Sequence, residues 1–310
     1  MQNLPPIVHI GYPKTGTTWF QKQLYPKIED IYFFSREELI EHLINIDIFS
    51  FDPQKARREL ETLANGKRMV ICEELLVGGL DIPFGLGEFI KVMADRLFLV
   101  FPEAQIIIFV RNQVDIIASA YFQYIRSGGT YSVKKYLSAE KTFNAFFKNH
   151  LLYSLKFFQF DLAIGYYENL FTKEGVSVFL YEDFKANTEQ FVEEFLGEFN
   201  LGFPKTVSHK TIENLRFSKP LIVSMRFFNH FYAKNTARKS YWINIPKFYA
   251  LFLQTHLYLN RWAVLSRWRK STSILGKNNI EKINNFYKAS NQNLAKYIDL
   301  KRLRNSNYPL

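Results

Sequence analysis

Near the N-terminus a glycine-containing loop joins an apolar segment to a helical one, and few folds accommodate that succession. Pro6 to Ile10 predicts a short β-strand, the loop runs from Gly11 to Gly16, and a helix is predicted from about Thr17. Glycines allow the chain to turn tightly, and the free N–H groups at the start of the helix can face an anion. The segment therefore predicts an α/β fold with an anion-binding site at the carboxyl end of its first strand.

Further apolar segments predict more strands of the same sheet, with helical segments between them. The predicted strands are Arg68–Cys72, Ala104–Val110 and Val176–Leu180, and the predicted helices include Val114–Arg126, Thr188–Asn200 and Glu281–Asp299. This alternation is typical of a parallel sheet covered by helices on both faces. We therefore predict one domain over residues 1–310 with a P-loop-like three-layer fold, in which helices flank a central parallel sheet and residues 220–275 form a mainly helical, basic cap.

Composition excludes several classes of protein. Hydrophobic residues make up 47% of the chain, which excludes general disorder, and the single Cys72 excludes an internal disulfide and a cysteine-rich metal site. No basic segment precedes an apolar one at the N-terminus, so we expect no signal peptide. No stretch of about 18 residues is uninterruptedly apolar, and polar residues interrupt the nearest, Phe248–Leu265. A cytoplasmic protein is therefore predicted.

Positive charge is concentrated in the last third of the chain. The net charge is +11, but residues 216–304 contain 18 Lys and Arg against two acidic residues, which leaves −5 on the remainder. A basic region of this kind predicts an anionic partner, such as a nucleotide, an acidic glycan, a lipid surface or a nucleic acid.

The residues of the N-terminal loop distinguish it from the phosphate loop of kinases. Gly11 and Gly16 have the spacing of a Walker A motif, but Thr17 stands where that motif has its lysine, and Lys14 lies inside the loop. A nucleotide kinase needs its lysine on the β- and γ-phosphates and a Ser or Thr on Mg²⁺. An atypical P-loop kinase is therefore only an alternative interpretation.

The stretch Tyr-Pro-Lys-Thr-Gly-Thr-Thr-Trp at residues 12–19 resembles the 5′-phosphosulfate loop of sulfotransferases. The resemblance implies that 3′-phosphoadenosine 5′-phosphosulfate (PAPS) is the sulfuryl donor and 3′,5′-adenosine bisphosphate (PAP) the product. It implies that the loop holds the phosphosulfate group and that Trp19 lies near the adenine. The implied loop residues are Pro13, Lys14, Thr15, Gly16, Thr17 and Thr18. Lys14 would lie beside the oxygen that bridges phosphorus and sulfur, where an ammonium stabilises the charge that develops as the bond breaks.

A second donor-binding segment follows the strand Ala104–Val110. Arg111 stands at the strand end where ligands of open α/β sheets bind, and Ser119 follows about two helical turns later. An arginine and a hydroxyl together suit a phosphate dianion. The pair resembles the 3′-phosphate motif of sulfotransferases, and Tyr181-Glu182-Asp183 resembles a segment of that family whose tyrosine approaches the adenine.

The candidate general base is a glutamate. Sulfotransferases place a histidine or a glutamate at the end of the strand that follows the first helical region, and here that strand ends in Glu73 and Glu74. The resemblance implies Glu73 as the base, with Glu74 second. A carboxylate that works near neutral pH needs its pKa raised by burial or by a neighbouring charge.

The histidines are rival bases, except that His9 is expected in the core of the sheet. The others are His42, His150, His209, His230 and His256. None has metal-ligand spacing with another candidate ligand, and no metal is predicted.

Residues 220–275 interleave aromatic and basic residues, and three interpretations remain open. They form a helical cap whose basic side chains extend to solvent, a lid that stacks rings on a sugar acceptor, or, at Phe248–Leu265, an interfacial helix on an anionic membrane. The Arg-Lys-Gly segment with which cytosolic animal sulfotransferases hold the 3′-phosphate is absent. The candidates to replace it are Arg267, Arg269, Lys270 and Lys277.

The sequence as a whole predicts a PAPS-dependent sulfotransferase. The predicted acceptor is a hydroxyl group, or an amine, on a carbohydrate or glycolipid, because the base is a carboxylate and the cap is aromatic and basic. We expect a cytoplasmic enzyme, with a peripheral position at the inner membrane face as a further option. The alternatives are an atypical P-loop nucleotide kinase and a basic module that binds nucleic acid or a membrane. Such a module leaves both donor motifs unexplained, and no nucleic-acid partner is expected.

Overall fold

A five-stranded parallel sheet lies at the centre of the computed structural model, which describes residues 4–78, 88–137, 154–204, 217–231, 242–243, 245, 248–260, 262 and 268–310. Its strands are β1 (Ile7–Ile10), β2 (Ile31–Phe33), β3 (Arg68–Glu73), β4 (Gln105–Val110) and β5 (Val176–Leu180). The order across the sheet is β2–β3–β1–β4–β5, and every neighbouring pair is parallel. The predicted parallel sheet is confirmed.

Helices cover the sheet and continue into the cap. Within the described residues they are α1 (Thr17–Trp19), α2 (Arg36–Leu39), α3 (Pro53–Ala64), α4 (Glu88–Val100), α5 (Gln113–Arg126), α6 (Val133–Leu137), α7 (Phe160–Phe171), α8 (Tyr181–Ala186), α9 (Thr188–Glu198), α10 (Lys219–Phe228), α11 (Phe248–Leu259), α12 (Ser271–Leu275), α13 (Lys277–Leu294) and α14 (Leu300–Asn305). Wider π-helical turns extend α1 over Phe20–Leu24 and α2 over Ile40–Ile44, and a 3₁₀ turn, Glu74–Val77, follows β3.

Element boundaries differ from the prediction by a few residues, for local reasons. The helix predicted from Val114 begins at Gln113, because the side chain of Asn112 accepts two backbone N–H bonds from the first turn, at 3.0 and 3.3 Å. The helix predicted from Glu281 begins at Lys277, directly after a glycine in the left-handed region. The short strand β2 has no counterpart in the prediction, because three residues are too few to show a periodicity.

Alternate strand residues point to opposite faces of the sheet, and each face has its own apolar core. On β1, Val8 and Ile10 belong to one core and Ile7 to the other, and β4 alternates in the same way. Every residue of β1 is buried, so the sheet is covered on both faces. The predicted three-layer arrangement is therefore confirmed.

The carboxyl ends of the central strands meet at one edge of the sheet. Ile10, the last residue of β1, pairs with Glu73 on one side and with Ile108 on the other, and Arg111 follows the end of β4. The chain passes from β1 to β2 and β3 on one side and to β4 and β5 on the other. The space between β1 and β4 is thus a topological switch point, the place where ligands of open α/β sheets bind.

The predicted cap is helical where it is described. Phe217 packs on Phe122 of α5, with ring centroids 4.7 Å apart, and Ser271 at the start of α12 donates a hydrogen bond to Asp115 of α5. The cap therefore rests on the helix that follows Arg111. In the described part of the chain, no helix combines the length and the apolar character needed to cross a membrane.

Candidate active site

The loop after β1 is held by its own side chains. Lys14 and Gly16 have positive φ angles of 71° and 95°, in the left-handed region that favours glycine. A Cβ on Gly11 would lie 2.6 Å from the side chain of Thr17, so a larger residue does not fit there. Thr15 fixes the turn by donating its hydroxyl to a backbone carbonyl oxygen at 2.6 Å. The loop therefore brings the start of α1 against the end of β1.

Two buried polar atoms beside this loop have no hydrogen-bond partner among the described residues. They are the hydroxyl of Thr17, a residue that is 1% exposed, and Nε1 of Trp19, whose indole packs edge-on against the ring of Phe184 at 5.1 Å. An unpaired buried hydroxyl costs about 1–3 kcal/mol, and an anion that accepts from Thr17 would remove that cost. The loop thus fits a phosphate group. Of the other residues predicted here, Pro13 and Thr15 are buried, Lys14 and Gly16 are partly exposed, and Thr18 is exposed.

Arg111 connects three of the predicted segments. Its guanidinium donates to the carbonyl oxygen of Lys14 at 2.7 Å, and its Cζ lies 4.5 Å from the centroid of the Tyr181 ring. The same ring lies against Gly16, where a Cβ would be 3.3 Å away. Ser119 is partly exposed on α5, about two turns beyond Arg111. Residues that are far apart in the sequence thus meet at the carboxyl edge of the sheet.

The C-terminus supports the segment around Arg111. The carboxylate of Glu182 accepts from the backbone N–H of Asn112 at 2.9 Å and from the hydroxyl of Tyr308 at 3.4 Å. The Asn112 side chain also donates to the carbonyl oxygen of Asn307 at 2.5 Å. Burial raises the pKa of Glu182, although the Arg111 charge opposes the shift. The sequence analysis assigns Glu182 no role; its place in the segment that carries the predicted tyrosine is the signal that could have found it.

Glu73 is buried at the end of β3, and both of its carboxylate oxygens are engaged. The residue is 1% exposed. Arg36 of α2 donates from Nε to Oε2 and lies with Nη2 beside Oε1, each at 2.9 Å, and the backbone N–H of Leu75 donates to Oε1 at 3.0 Å. The hydrogen bond to Glu73 raises the pKa of Arg36. The sequence analysis missed Arg36, because no sequence pattern places it beside the end of β3.

Glu74 differs from its neighbour in both exposure and electrostatics. It is partly exposed, and among the described residues nothing donates a hydrogen bond to its carboxylate. Burial raises the pKa of Glu74, the nearby Lys14 ammonium lowers it, and the charge of Glu73 raises it, with a net upward direction. A carboxyl group of raised pKa therefore lies within electrostatic range of the loop lysine.

The histidines considered as alternative bases have other surroundings. His9 is confirmed in the core, where its ring stacks on Phe109 with centroids 4.9 Å apart and Nδ1 lies 3.1 Å from the Tyr25 hydroxyl. Burial lowers the pKa of His9 to about 3. The others fall elsewhere: His42 in the turn that extends α2, His230 and His256 in the cap, and His150 and His209 outside the described residues. The described residues contain no group of three or more His, Cys, Asp or Glu side chains that could hold a metal ion.

The basic residues considered for the 3′-phosphate are divided by the structure. Arg269 donates to a carbonyl oxygen within the cap, Lys270 and Lys277 are exposed, and Arg267 lies outside the described residues. Ser271, the neighbour of Lys270, donates to the carboxylate of Asp115 in the first turn of α5. That bond holds the segment containing Lys270 against the helix that follows Arg111.

Comparisons with known proteins bear on this arrangement. A family model described as "Sulfotransferase domain" matches residues 93–226, which is less than half of the chain. The matched region contains Arg111, Ser119 and Tyr181 and begins after the N-terminal loop. A search of curated protein sequences finds no match.

Two solved structures are similar to this chain. A sulfotransferase from Alicyclobacillus acidocaldarius aligns with a TM-score of 0.50 and 19% sequence identity, over 86% of this chain and 99% of that one. A sulfotransferase domain from the curacin biosynthetic pathway aligns with a TM-score of 0.41 and 12% identity, over 92% and 98% of the two chains. The first likeness shows a shared fold, and the second is too distant to carry an argument.

Proposed function

Because this chain is a PAPS-dependent sulfotransferase, with that family's domain over residues 93–226, we propose that it sulfates a hydroxyl group, or an amine, on a carbohydrate or glycolipid. We propose further that the loop after β1 and Arg111 with Ser119 hold the donor. A glutamate that follows β3 acts as the general base. Residues 1–310 form one sulfotransferase domain in this proposal, and the cap contributes the acceptor side.

The position of Arg111 is the observation that carries the donor site. Its guanidinium reaches the backbone of the loop at Lys14 and covers the ring of Tyr181, so one side chain joins the three proposed binding elements. The proposal assigns the 5′-phosphate to the loop residues around Thr17, the 3′-phosphate to Arg111 and Ser119, and the adenine to Tyr181. Lys270 is the proposed replacement for the missing Arg-Lys-Gly segment, because the neighbouring Ser271 is bonded to α5.

The donor supplies the sulfuryl group, and the residues of this chain supply orientation, charge and a proton acceptor. The loop and Arg111 fix the position of the phosphates, since an in-line displacement depends on the alignment of its reactants. The Lys14 ammonium stabilises negative charge on the leaving phosphate oxygen. A carboxylate that follows β3 takes the proton of the acceptor.

Of the two carboxylates in that position, the contacts favour Glu74 as the base. Both oxygens of Glu73 already accept hydrogen bonds, so Glu73 would have to give one up to accept a proton. Burial raises the pKa of Glu74, and a general base works best when its pKa is near the operating pH. We propose that Glu74 accepts the proton and that the pair of Arg36 and Glu73 positions the end of β3. Glu73, which the resemblance places first, is the second candidate.

Thermal stabilisation by PAP tests the donor site. A ligand at about 100 times its Kd adds about 2.7 kcal/mol to the free energy of unfolding. With an unfolding entropy of about 2.1 cal/mol/K per residue, this raises the Tm of a chain of this length by about 4 °C. We expect that shift with PAP and a smaller one with ADP. Because a hydrogen bond to a charged group contributes about 1.5–3 kcal/mol, Arg111→Ala should weaken PAP binding about tenfold or more.

Arg58→Ala is the matched control, because Arg58 is an exposed arginine on α3, and it should keep the full shift. The absence of any shift with PAP would contradict the proposed site. An equal shift with ATP and Mg²⁺ would favour the kinase alternative instead.

A further inference from the structure

The outer face of α11 carries no charged residue. Phe252 and His256 are buried on its inner side, whereas Leu251, Leu257 and Tyr258 on its outer side are 67%, 43% and 64% exposed. The helix contains no Asp, Glu, Lys or Arg at any of its 12 positions. A helix on the surface of a globular domain normally presents charged residues to water. Packing against the rest of the cap therefore explains only one side of α11.

Other exposed apolar side chains accompany this helix. Trp262, just beyond its C-terminal end, is 53% exposed. Phe227 of α10 and Trp242 are 50% and 64% exposed, and their ring centroids lie 6.0 Å apart. Nine of the 16 exposed large hydrophobic residues in the described part of the chain fall within residues 217–262, and we call these nine the cap face. Trp and Tyr are the side chains enriched where proteins meet the headgroup region of a bilayer.

The same part of the chain is strongly basic. Residues 216–277 contain 12 Lys and Arg and no Asp or Glu. Lys247 directly precedes α11, and Arg261 follows its end. Positive charge of this density attracts an anionic surface and opposes the association of the cap face with a second copy of itself. An apolar helix face with basic flanks is characteristic of helices that lie in a membrane interface.

We propose that the cap face docks on an anionic lipid bilayer, with α11 lying along the surface. The exposed rings and aliphatic side chains enter the headgroup region, and the surrounding Lys and Arg contact lipid phosphates. At about 1.5 Å per residue α11 is about 18 Å long, against about 30 Å for the hydrocarbon core, so it lies on the bilayer and does not span it. Docking holds the enzyme beside glycolipid acceptors, a consequence that rests on the proposed function, whereas the docking itself does not.

Cosedimentation of the full chain with vesicles tests the docking. The probes are phosphatidylcholine vesicles with and without phosphatidylglycerol, at low and at high salt. We expect the protein to bind the vesicles that contain phosphatidylglycerol, and Leu251→Asp to reduce the partition coefficient about tenfold or more, because it replaces an inserted apolar group by an anion. The matched control is Leu162→Asp on α7, where the leucine is 63% exposed outside the cap, and it should bind like the wild type.

Several results would overturn the docking. They are no binding by the wild type, equal binding by wild type and Leu251→Asp, and equal losses in both aspartate variants. A dimer in size-exclusion chromatography that Leu251→Asp dissociates, without vesicle binding, would assign the cap face to a second copy instead. Circular dichroism verifies folding, and Tyr258→Asp provides the same test if Leu251→Asp unfolds.

PAP stabilisation measured on the same proteins separates this proposal from the proposed function. If PAP stabilises the protein but vesicles do not bind it, only the docking fails. If vesicles bind but PAP has no effect, only the donor site fails.

Discussion

Replacing Arg36 by alanine leaves the buried carboxylate of Glu73 without its charged partner. The Glu73 side chain is 2% exposed and that of Arg36 is 49% exposed, and Arg36 contacts both carboxylate oxygens at 2.9 Å. Breaking a fully buried ion pair costs about 3–5 kcal/mol, whereas an exposed pair contributes about 0–1 kcal/mol. Because one partner is buried and the other half-exposed, we expect Arg36→Ala to lower the free energy of unfolding by about 2 kcal/mol.

Chemical and thermal unfolding measure this loss. At about 2.1 cal/mol/K per residue, a loss of about 2 kcal/mol lowers the Tm of a chain of this length by about 3 °C. Arg57→Ala is the matched control, because Arg57 is 37% exposed and pairs with Glu61 and Glu103, which are 46% and 41% exposed. Since both of those carboxylates stay hydrated, the control should lose no more than about 1 kcal/mol.

A double variant separates the stranded charge from the lost contacts. Adding Glu73→Gln to Arg36→Ala removes the uncompensated buried charge, so the double variant should recover about 1 kcal/mol. The reasoning is refuted if Arg36→Ala costs no more than Arg57→Ala, or if the double variant is no more stable than Arg36→Ala alone.

Three further predictions concern the site and the core. Glu74→Gln should lower kcat about 10²–10⁴-fold in a sulfuryl-transfer assay and Glu73→Gln should lower it less; the reverse order would identify Glu73 as the base. Because burial raises the pKa of Glu74 above 4.5, its ionisation opposes folding as the pH rises, so Glu74→Gln should be more stable than wild type at neutral pH and equally stable below pH 4.5. Lys14→Ala should lower kcat about 10²–10³-fold, and an unchanged kcat would exclude Lys14 from charge stabilisation. The pKa of His9 falls from 6.5 to about 3 on folding, so its contribution to stability is complete above pH 6.5 and is lost as the pH falls toward 3; urea titrations across that window should show a flatter pH dependence for His9→Gln.

Much of the fold follows from local sequence patterns. Four of the five strands lie within a residue or two of their predicted positions, because a buried strand is a short apolar run and its ends carry turn residues. The loop at Gly11–Gly16 follows from the same local chemistry, since positive φ at Gly16 is a property of a single residue. The parallel order of the sheet then brings Arg111 to the edge where that loop lies, as a general rule for such sheets predicts.

Only the tertiary structure decided which charged groups are paired and which are available. Arg36 and Glu73 are 37 residues apart in the sequence, and Glu182 and Tyr308 are 126 apart. No periodicity or turn signal relates such positions, because their distance depends on how α2 and the C-terminus pack on the sheet. The sequence therefore determined that two glutamates follow β3, whereas packing decided that Glu73 is held by an arginine and that Glu74 lies near Lys14 with a raised pKa. Burial and the field of neighbouring charges set proton affinity, and both exist only in the folded chain.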